Sequence, residues 1–361
     1  MKFALVTTNL RGGGAEKAML KFATLLASRD HETHLVLLEH RIEHDLPADV
    51  RLSALTRPGQ EASKGLLGKH LLAWRLRHLM TALAGTRPFD LILSTLPFAD
   101  EVCKRARLPR LWHRVANTLS AEIDRLAERD RQKAARRQAK YRHLYHRSRL
   151  IAVSDGVALD LQSLKINALR IERLYNPFDV DAIRNAATAS AALPSGPFVV
   201  HVGRFSPQKR HDLLFAAFRQ LPPTRQLVLL CHDQPELRSM IVDHGLENRV
   251  VVAGFQTNPY PWIAAADLLV LCSDHEGMPN VLVEALLLGT PVVSTDCPSG
   301  PDEILQHGRF GRLVPCNDAP ALTRAISDAL TGPRRVDSFD PAPFLPAAAV
   351  ERLEQLAREN D

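Results

Sequence analysis

No run of about eighteen apolar residues occurs in the 361-residue chain, which excludes a helix fit to span a bilayer. Its first residues, MKFALVTTNLRGGG, turn polar too early for a secretory signal, so none is expected. Cysteine is scarce: Cys103, Cys231, Cys272, Cys297 and Cys316 are odd in number, scattered and never in a C-x-x-C pair. That speaks against a disulfide framework and a structural zinc site, and the cytoplasm is the expected compartment. Two nucleotide fingerprints are also missing at the first strand-to-helix turn. G-x-G-x-x-G would need a glycine where Lys17 stands, and no G-K-[ST] follows. Neither a dinucleotide fold of the nicotinamide type nor a P-loop is therefore expected.

What is present is alternation. With 45% apolar and 24% charged residues the chain reads as an ordinary globular protein, and its length points to two domains. Strand-like runs cover 3–9, 34–39, 90–96, 110–117 and 149–154, apolar on both faces as parallel strands under helices are. A second series covers 198–204, 226–231, 249–255, 267–273 and 291–296, with helices expected at 15–27, 211–221 and 279–288. Two doubly wound halves follow, with ligands expected at the carboxyl ends of the strands. The expected division is 1–180, a connector 181–196 of turn-forming and small residues, a second domain 197–335, and a tail 336–361. The tail carries a short helix near 349–358, and packing back on the N-terminal domain is the expectation.

Charge is unevenly spread. Residues 102–149 hold 15 Lys or Arg against 4 Asp or Glu, a balance of +11, while the rest of the chain sums to −5. The stretch 125–149, RLAERDRQKAARRQAKYRHLYHRSR, is read either as a solvated helix or as a patch facing phosphates, such as an anionic membrane surface. Nucleic acid is not expected, because Tyr141 and Tyr145 are its sole aromatics.

Three loops carry chemistry. NLRGGGAEKAML places Gly12, Gly13 and Gly14 where a backbone can approach a ligand without a Cβ in the way. HVGRFSPQKR sets Gly203 after a strand, with Arg204 and Lys209 as cations able to neutralise a departing diphosphate. In SDHEGMPNVLVEALLLGTP, Glu276 lies in the entry to a helix that starts at Pro279, contains Glu284 and ends at Gly289 before Pro291. Such a terminus suits a phosphate-bearing ligand, leaving both acids to grip hydroxyls. Asp179-Val180-Asp181 spells a manganese-type D-x-D but follows Asn176-Pro177, so it is read as a turn and helix cap.

In this order, GGGAE, VGR-x4-K, the E-x7-E pair and NPFD resemble family 4 (GT4) retaining glycosyltransferases, over nearly the whole chain. The resemblance implies a GT-B fold, with two Rossmann-like α/β domains facing a central cleft. It implies that Arg204 and Lys209 clamp the nucleotide diphosphate beside Gly203, that Glu284 holds the ribose, and that Glu276 holds the donor sugar. Gly277, Met278, Pro279, Asn280 and Val281 match the stretch whose backbone amides bind sugar and phosphate, and Gly13 and Gly14 would face the phosphates. His113 matches a histidine near the reacting sugar, with Arg114 and Asn117 as alternatives. Ser299, in DCPSGPDEIL, would lie near a donor that is UDP-N-acetylhexosamine first and a UDP-hexose next, with GDP in place of UDP as the variant. Front-face transfer with retention is implied, with no metal or other cofactor. The implied acceptor is a glycan or lipid-linked glycan of a bacterial surface polysaccharide or lipopolysaccharide, met at the cytoplasmic face of the inner membrane. Rival readings are a non-hydrolysing UDP-sugar 2-epimerase and a non-catalytic nucleotide-sugar scaffold.

Overall fold

The computed structural model describes residues 1–11, 13–43, 46–47, 49–332 and 339–359; Gly12 and the expected 335/336 boundary lie outside them. The chain divides into two units, Met1–Pro177 with Ala342–Asp361, and Phe178–Pro341.

In the first unit β1 (Lys2–Thr7) leads to α1 (Gly14–Ala27), β2 (Glu32–Leu37) and β3 (Arg51–Ala54). There follow α2 (Leu66–Ala84), β4 (Leu91–Thr95), α3 (Pro97–Arg105) and β5 (Leu111–Val115). Then come α4 (Leu119–Arg129), α5 (Arg131–Tyr145), β6 (Arg149–Ala152), α6 (Asp155–Ser163) and β7 (Arg170–Arg173). The sheet runs β3-β2-β1-β4-β5-β6-β7, parallel throughout, so strand order reverses between β1 and β4. Alternation explains why β1 is apolar at every position. Phe3 and Leu5 enter a core with Met19 and Phe22 of α1, while Ala4 and Val6 enter another with Leu72 and Leu76 of α2.

The second unit opens with α7 (Val180–Ala187), β8 (Phe198–Val202), α8 (His211–Phe218), β9 (Gln226–Leu230), α9 (Pro235–Asp243) and β10 (Val250–Val252). It continues with α10 (Tyr260–Ala265), β11 (Leu268–Leu271), α11 (Asn280–Leu287), β12 (Val292–Thr295), α12 (Pro301–Leu305), β13 (Arg312–Val314) and α13 (Ala319–Thr331). Its parallel sheet runs β10-β9-β8-β11-β12-β13, reversing between β8 and β11.

The expected connector 181–196 is corrected here. Its first half is helical, and α7 packs into the second unit: Asn258 Nδ2 donates to the Ala186 carbonyl at 2.8 Å and Arg184 Nε to that of Leu287 at 3.4 Å. Small residues that read as a linker are what a helix needs to lie close to its neighbours. Asp179 caps α7 by accepting from the Ala182 N–H at 3.0 Å, so the D-x-D is a cap as expected.

The closing helix α14 (Pro346–Arg358) belongs to the first unit. Ala349, Val350, Leu353, Leu356 and Ala357 share one face and join the α1 core, with a His31–Glu354 pair at 2.7 Å beside them.

Candidate functional site

In the second unit the three loops that leave β8, β11 and β12 stand at the switch point of the sheet, because these strands are neighbours there. After β8, Gly203 leads into a 3-10 turn, Pro207–Lys209. A Cβ on Gly203 would lie 3.3 Å from Lys209 Cδ and 3.3 Å from His201 Nε2, so glycine leaves the lysine stem room to cross the strand end. Lys209 Nζ then donates to Glu276 Oε1 at 2.5 Å, across 67 positions of sequence. Both side chains are largely buried, at 18% and 10% exposure, which makes this a strong charge-assisted contact.

Backbone bonds put Glu276 there. Asp274 N–H donates to the Gln208 carbonyl at 2.9 Å, and Gln208 Nε2 to the His275 carbonyl at 2.7 Å. From the other side Glu276 N–H donates to the Pro298 carbonyl at 3.2 Å. Gly300, at φ 101°, lies flat on the loop: a Cβ would meet Pro279 Cδ at 2.4 Å and Met278 Cα at 3.2 Å. Ser299 next to it is also left-handed, at φ 67°. Gly277, Met278 and Pro279 are therefore buried, with Asn280 and Val281 opening α11. One expectation shifts: Pro279 is the N-cap, with φ −74° and ψ 92°, and not the first helical residue. Gly289 ends the helix region at φ 74°, as expected.

Glu284 projects from α11 and is hydrogen-bonded by Tyr260, whose hydroxyl is held well above the usual phenol range by burial first and then by this carboxylate. Tyr260 is a site neighbour that sequence reading missed, since a lone Tyr before Pro261 carries no motif. Arg204 is exposed and has no ion-pair partner among the described residues. Arg210, also missed, instead pairs with Asp274 at 2.8 Å and Asp212 at 2.9 Å and stiffens the loop from outside. Gly203, Lys209, Glu276, residues 277–281 and Ser299 are thus brought together.

Beneath Lys209 lie His201 and His211, ring centroids 4.8 Å apart. His201 Nδ1 meets the Val270 carbonyl at 2.8 Å. Burial lowers the pKa of His201 to about 4 and of His211 to about 2, with the Lys209 charge adding to both and Asp212 opposing at His211. Both stay neutral in the folded state while the unfolded state takes up protons below about 6.5, so stability falls as pH drops through that value. We expect the melting temperature to decline from pH 6.5 towards pH 4, and a His211→Phe variant to show a shallower decline over the same range.

The first unit holds the other expected residues. Gly13 is the N-cap of α1 and Gly14 its first residue, where a Cβ on Gly14 would meet nothing within 4 Å. His113 is a correction: it is the third residue of β5, 1% exposed, and not at an open strand end. Ser94 Oγ donates to Asp100 Oδ1 at 2.5 Å and lies 2.7 Å from His113 Nδ1, and Tyr145 OH donates to Asp100 Oδ2 at 2.8 Å. With its proton given to Asp100, Ser94 accepts from His113 Nδ1–H. His113 therefore serves a buried polar network under α3 and α5, because period-2 alternation turns it inward there. Arg114 points to the opposite face, over the Phe22 ring at 5.8 Å, and donates to Asn176 Oδ1. Its Nε and Nη1 have no partner among the described residues, and burial lowers its pKa to about 10, so it remains cationic at neutral pH. Asn117 is half-buried two residues beyond β5. The basic stretch 125–149 covers the end of α4, joined at Asp130 to the whole of α5, and runs to the start of β6, and some of its cations are already engaged: Arg137 with Glu122, and Lys140 with Glu101 at 3.3 Å. Among the described residues no three His, Cys, Asp or Glu side chains gather as a metal ligand set does.

A family model described as Glycosyltransferase Family 4 matches residues 12–182, and one described as Glycosyl transferases group 1 matches residues 196–332. A Campylobacter jejuni protein, N-acetylgalactosamine-N,N'-diacetylbacillosaminyl-diphospho-undecaprenol 4-alpha-N-acetylgalactosaminyltransferase, is 26% identical over 344 residues, covering 91% of this chain and 90% of its own. Among solved structures, a sucrose-phosphate synthase from Thermosynechococcus elongatus matches with TM-score 0.81 at 20% identity, over 99% of this chain and 98% of its own. Anabaena Alr3699/HepE, solved with UDP and glucose, matches with TM-score 0.77 at 22% identity, over 98% of each chain. At these identities the structural likeness speaks for the fold. The two family models, which between them take up most of the chain, and the shared fold carry one conclusion: the chain belongs to the GT4-like glycosyltransferases of the GT-B fold.

Proposed function

We propose that the protein moves a hexose or N-acetylhexosamine from a UDP-sugar to a lipid-linked or other glycan acceptor, with retention at the anomeric carbon, in assembly of a bacterial surface glycan. The observation that carries this reading is the Lys209–Glu276 pair at 2.5 Å, set at the switch point beside the buried 277–279 loop. A diphosphate entering there takes over the Lys209 ammonium and meets exposed Arg204 as well. Glu276 is then released to accept from sugar hydroxyls, and Glu284, steadied by Tyr260, accepts from the ribose. The names of the relatives support the choice of donor and acceptor: the Campylobacter jejuni protein acts on a diphospho-undecaprenol glycan, and HepE was solved with UDP.

In this reading the bond between the anomeric carbon and the diphosphate oxygen breaks while the acceptor oxygen bonds to the same face. The departing phosphate takes the acceptor proton. Lys209 and Arg204 neutralise the charge that develops on the leaving group, so the acceleration rests on positioning and preorganised cations. No metal is called for, and turnover is expected to persist in EDTA.

The test is thermal unfolding with a panel of UDP-, GDP- and ADP-sugars, without metal. One donor at a hundredfold excess over its Kd should raise the melting temperature by about 5–10 °C. The shift should be selective for UDP-sugars and much smaller in Glu284→Ala. A GDP-sugar giving the selective shift would replace the base, and no shift with any member would overturn the donor site. Incubating the hit without acceptor then excludes epimerisation if the sugar returns unchanged.

A further inference from the structure

α2 is apolar on two opposite sides, and one of them has no cover within its unit. Leu72, Leu76 and Met80 face the core. Leu66, Leu67, Leu71 and Trp74 are 64%, 85%, 57% and 60% exposed, four of the ten large apolar side chains that stand exposed among the described residues. The others are scattered along the chain; these four occupy the first half of one helix. Leu67, Leu71 and Trp74 fall on a single stripe by helical spacing, and Arg75 and Arg77 project about 80° to either side of Leu67 at 100° per residue. Lys64 and Arg57 are exposed nearby, and Arg57 and Arg75 line one open depression with Pro58, Gly59 and Gln60. Residues 57–84 contain five Lys or Arg and a single acid, Glu61, which is paired with Arg41 at 2.8 Å.

We infer that this face of α2 docks the protein on an anionic lipid bilayer, with the two leucines and Trp74 entering the headgroup boundary and the flanking cations meeting lipid phosphates. A leucine stripe alone is compatible with many partners. The cations choose among them: pairing two copies through this face would bring Arg75, Arg77 and Lys64 of both together, while anionic headgroups complement them. Trp prefers the interface, where its ring is buried and its N–H stays wet, and Lys and Arg stems reach from the apolar zone to phosphate depth. Among the described residues no helix is long and apolar enough to cross a membrane, so α2 lies in the interface plane. By contrast α5, the basic helix expected to play this part, exposes no large apolar side chain. The surface stands on exposure and charge, independent of the transferase reading.

Trp74 supplies its own readout, because Trp112 and Trp262, the other two tryptophans, are only 1% and 4% exposed. The full chain is mixed at low salt with phosphatidylglycerol–phosphatidylcholine vesicles and with phosphatidylcholine vesicles alone. With the anionic vesicles its emission should move to shorter wavelength and be quenched by brominated acyl chains; with phosphatidylcholine alone both effects should be weak. Leu67→Ser with Leu71→Ser should reduce co-flotation at least tenfold with an unchanged melting temperature. Arg136→Glu with Arg137→Glu and Lys140→Glu on α5 should leave most of it. Unchanged emission on anionic vesicles would overturn the proposal. So would equal flotation of the leucine variant, or loss confined to the α5 variant. A dimer in sedimentation that the leucine changes abolish would assign the face to a second copy instead.

Discussion

Lys209→Ala is expected to lower turnover about 10²–10³-fold, the usual cost of removing one group that stabilises charge developing in the transition state. Two effects act together, and they can be separated. The variant removes the cation proposed to meet the leaving diphosphate, and it strips Glu276, whose side chain is 10% exposed, of its close ammonium partner. Taking the ammonium partner from a largely buried carboxylate costs about 3 kcal/mol, so the melting temperature should fall as well. Lys209→Met combined with Glu276→Gln removes both charges and should recover most of the lost stability while turnover stays low. The measurements are kcat and KM with the best donor, beside thermal unfolding of each variant. Turnover within threefold of the parent in Lys209→Ala would remove the lysine from the reaction and with it the donor site proposed here.

Gly300→Ala is expected to cost about 2–4 kcal/mol and to weaken donor binding at least tenfold. At φ 101° an L side chain is strained before any contact is counted, and its Cβ would stand 2.4 Å from Pro279 Cδ and 3.3 Å from the Gly277 carbonyl oxygen. A proline ring and a backbone cannot step aside as the end of a flexible side chain can. The 277–281 stretch must move, and Glu276, tied to Pro298 just before Gly300, moves with it. Gly308→Ala is the control: φ is 87°, yet the Cβ would lie 3.6 Å from the nearest atom, the Gly311 carbonyl oxygen. It should lose stability by strain alone and bind donor like the parent. Isothermal titration of both variants decides the matter, and equal donor affinity in Gly300→Ala would show that the loop does not hold the donor.

Sequence alone was enough for the central strands and for several helix ends. FALVTTN and DLLVLCS are apolar at successive positions because the helices on both faces of a parallel sheet leave no solvent side, and that pattern is local. Asp179 and Gly289 were legible for the same reason: a cap and a left-handed stop act within a few residues. Three of the four edge strands were not legible. β3, β7 and β13, written RLSA, RIER and RLV, are half-solvated and too polar to stand out from loops. Only packing revealed α7 as part of the second unit, since an amphipathic stripe does not say which core it meets. His113 and Arg114 are the clearest case. Adjacent in sequence and equally plausible beside a ligand, they were separated by a strand that turns one into the Asp100 network and leaves the other with two donors that have no partner among the described residues. The Lys209–Glu276 contact and the bare leucine stripe of α2 belong to the same class. Local pattern determines which face of an element is apolar; only the folded neighbours decide what, if anything, covers it.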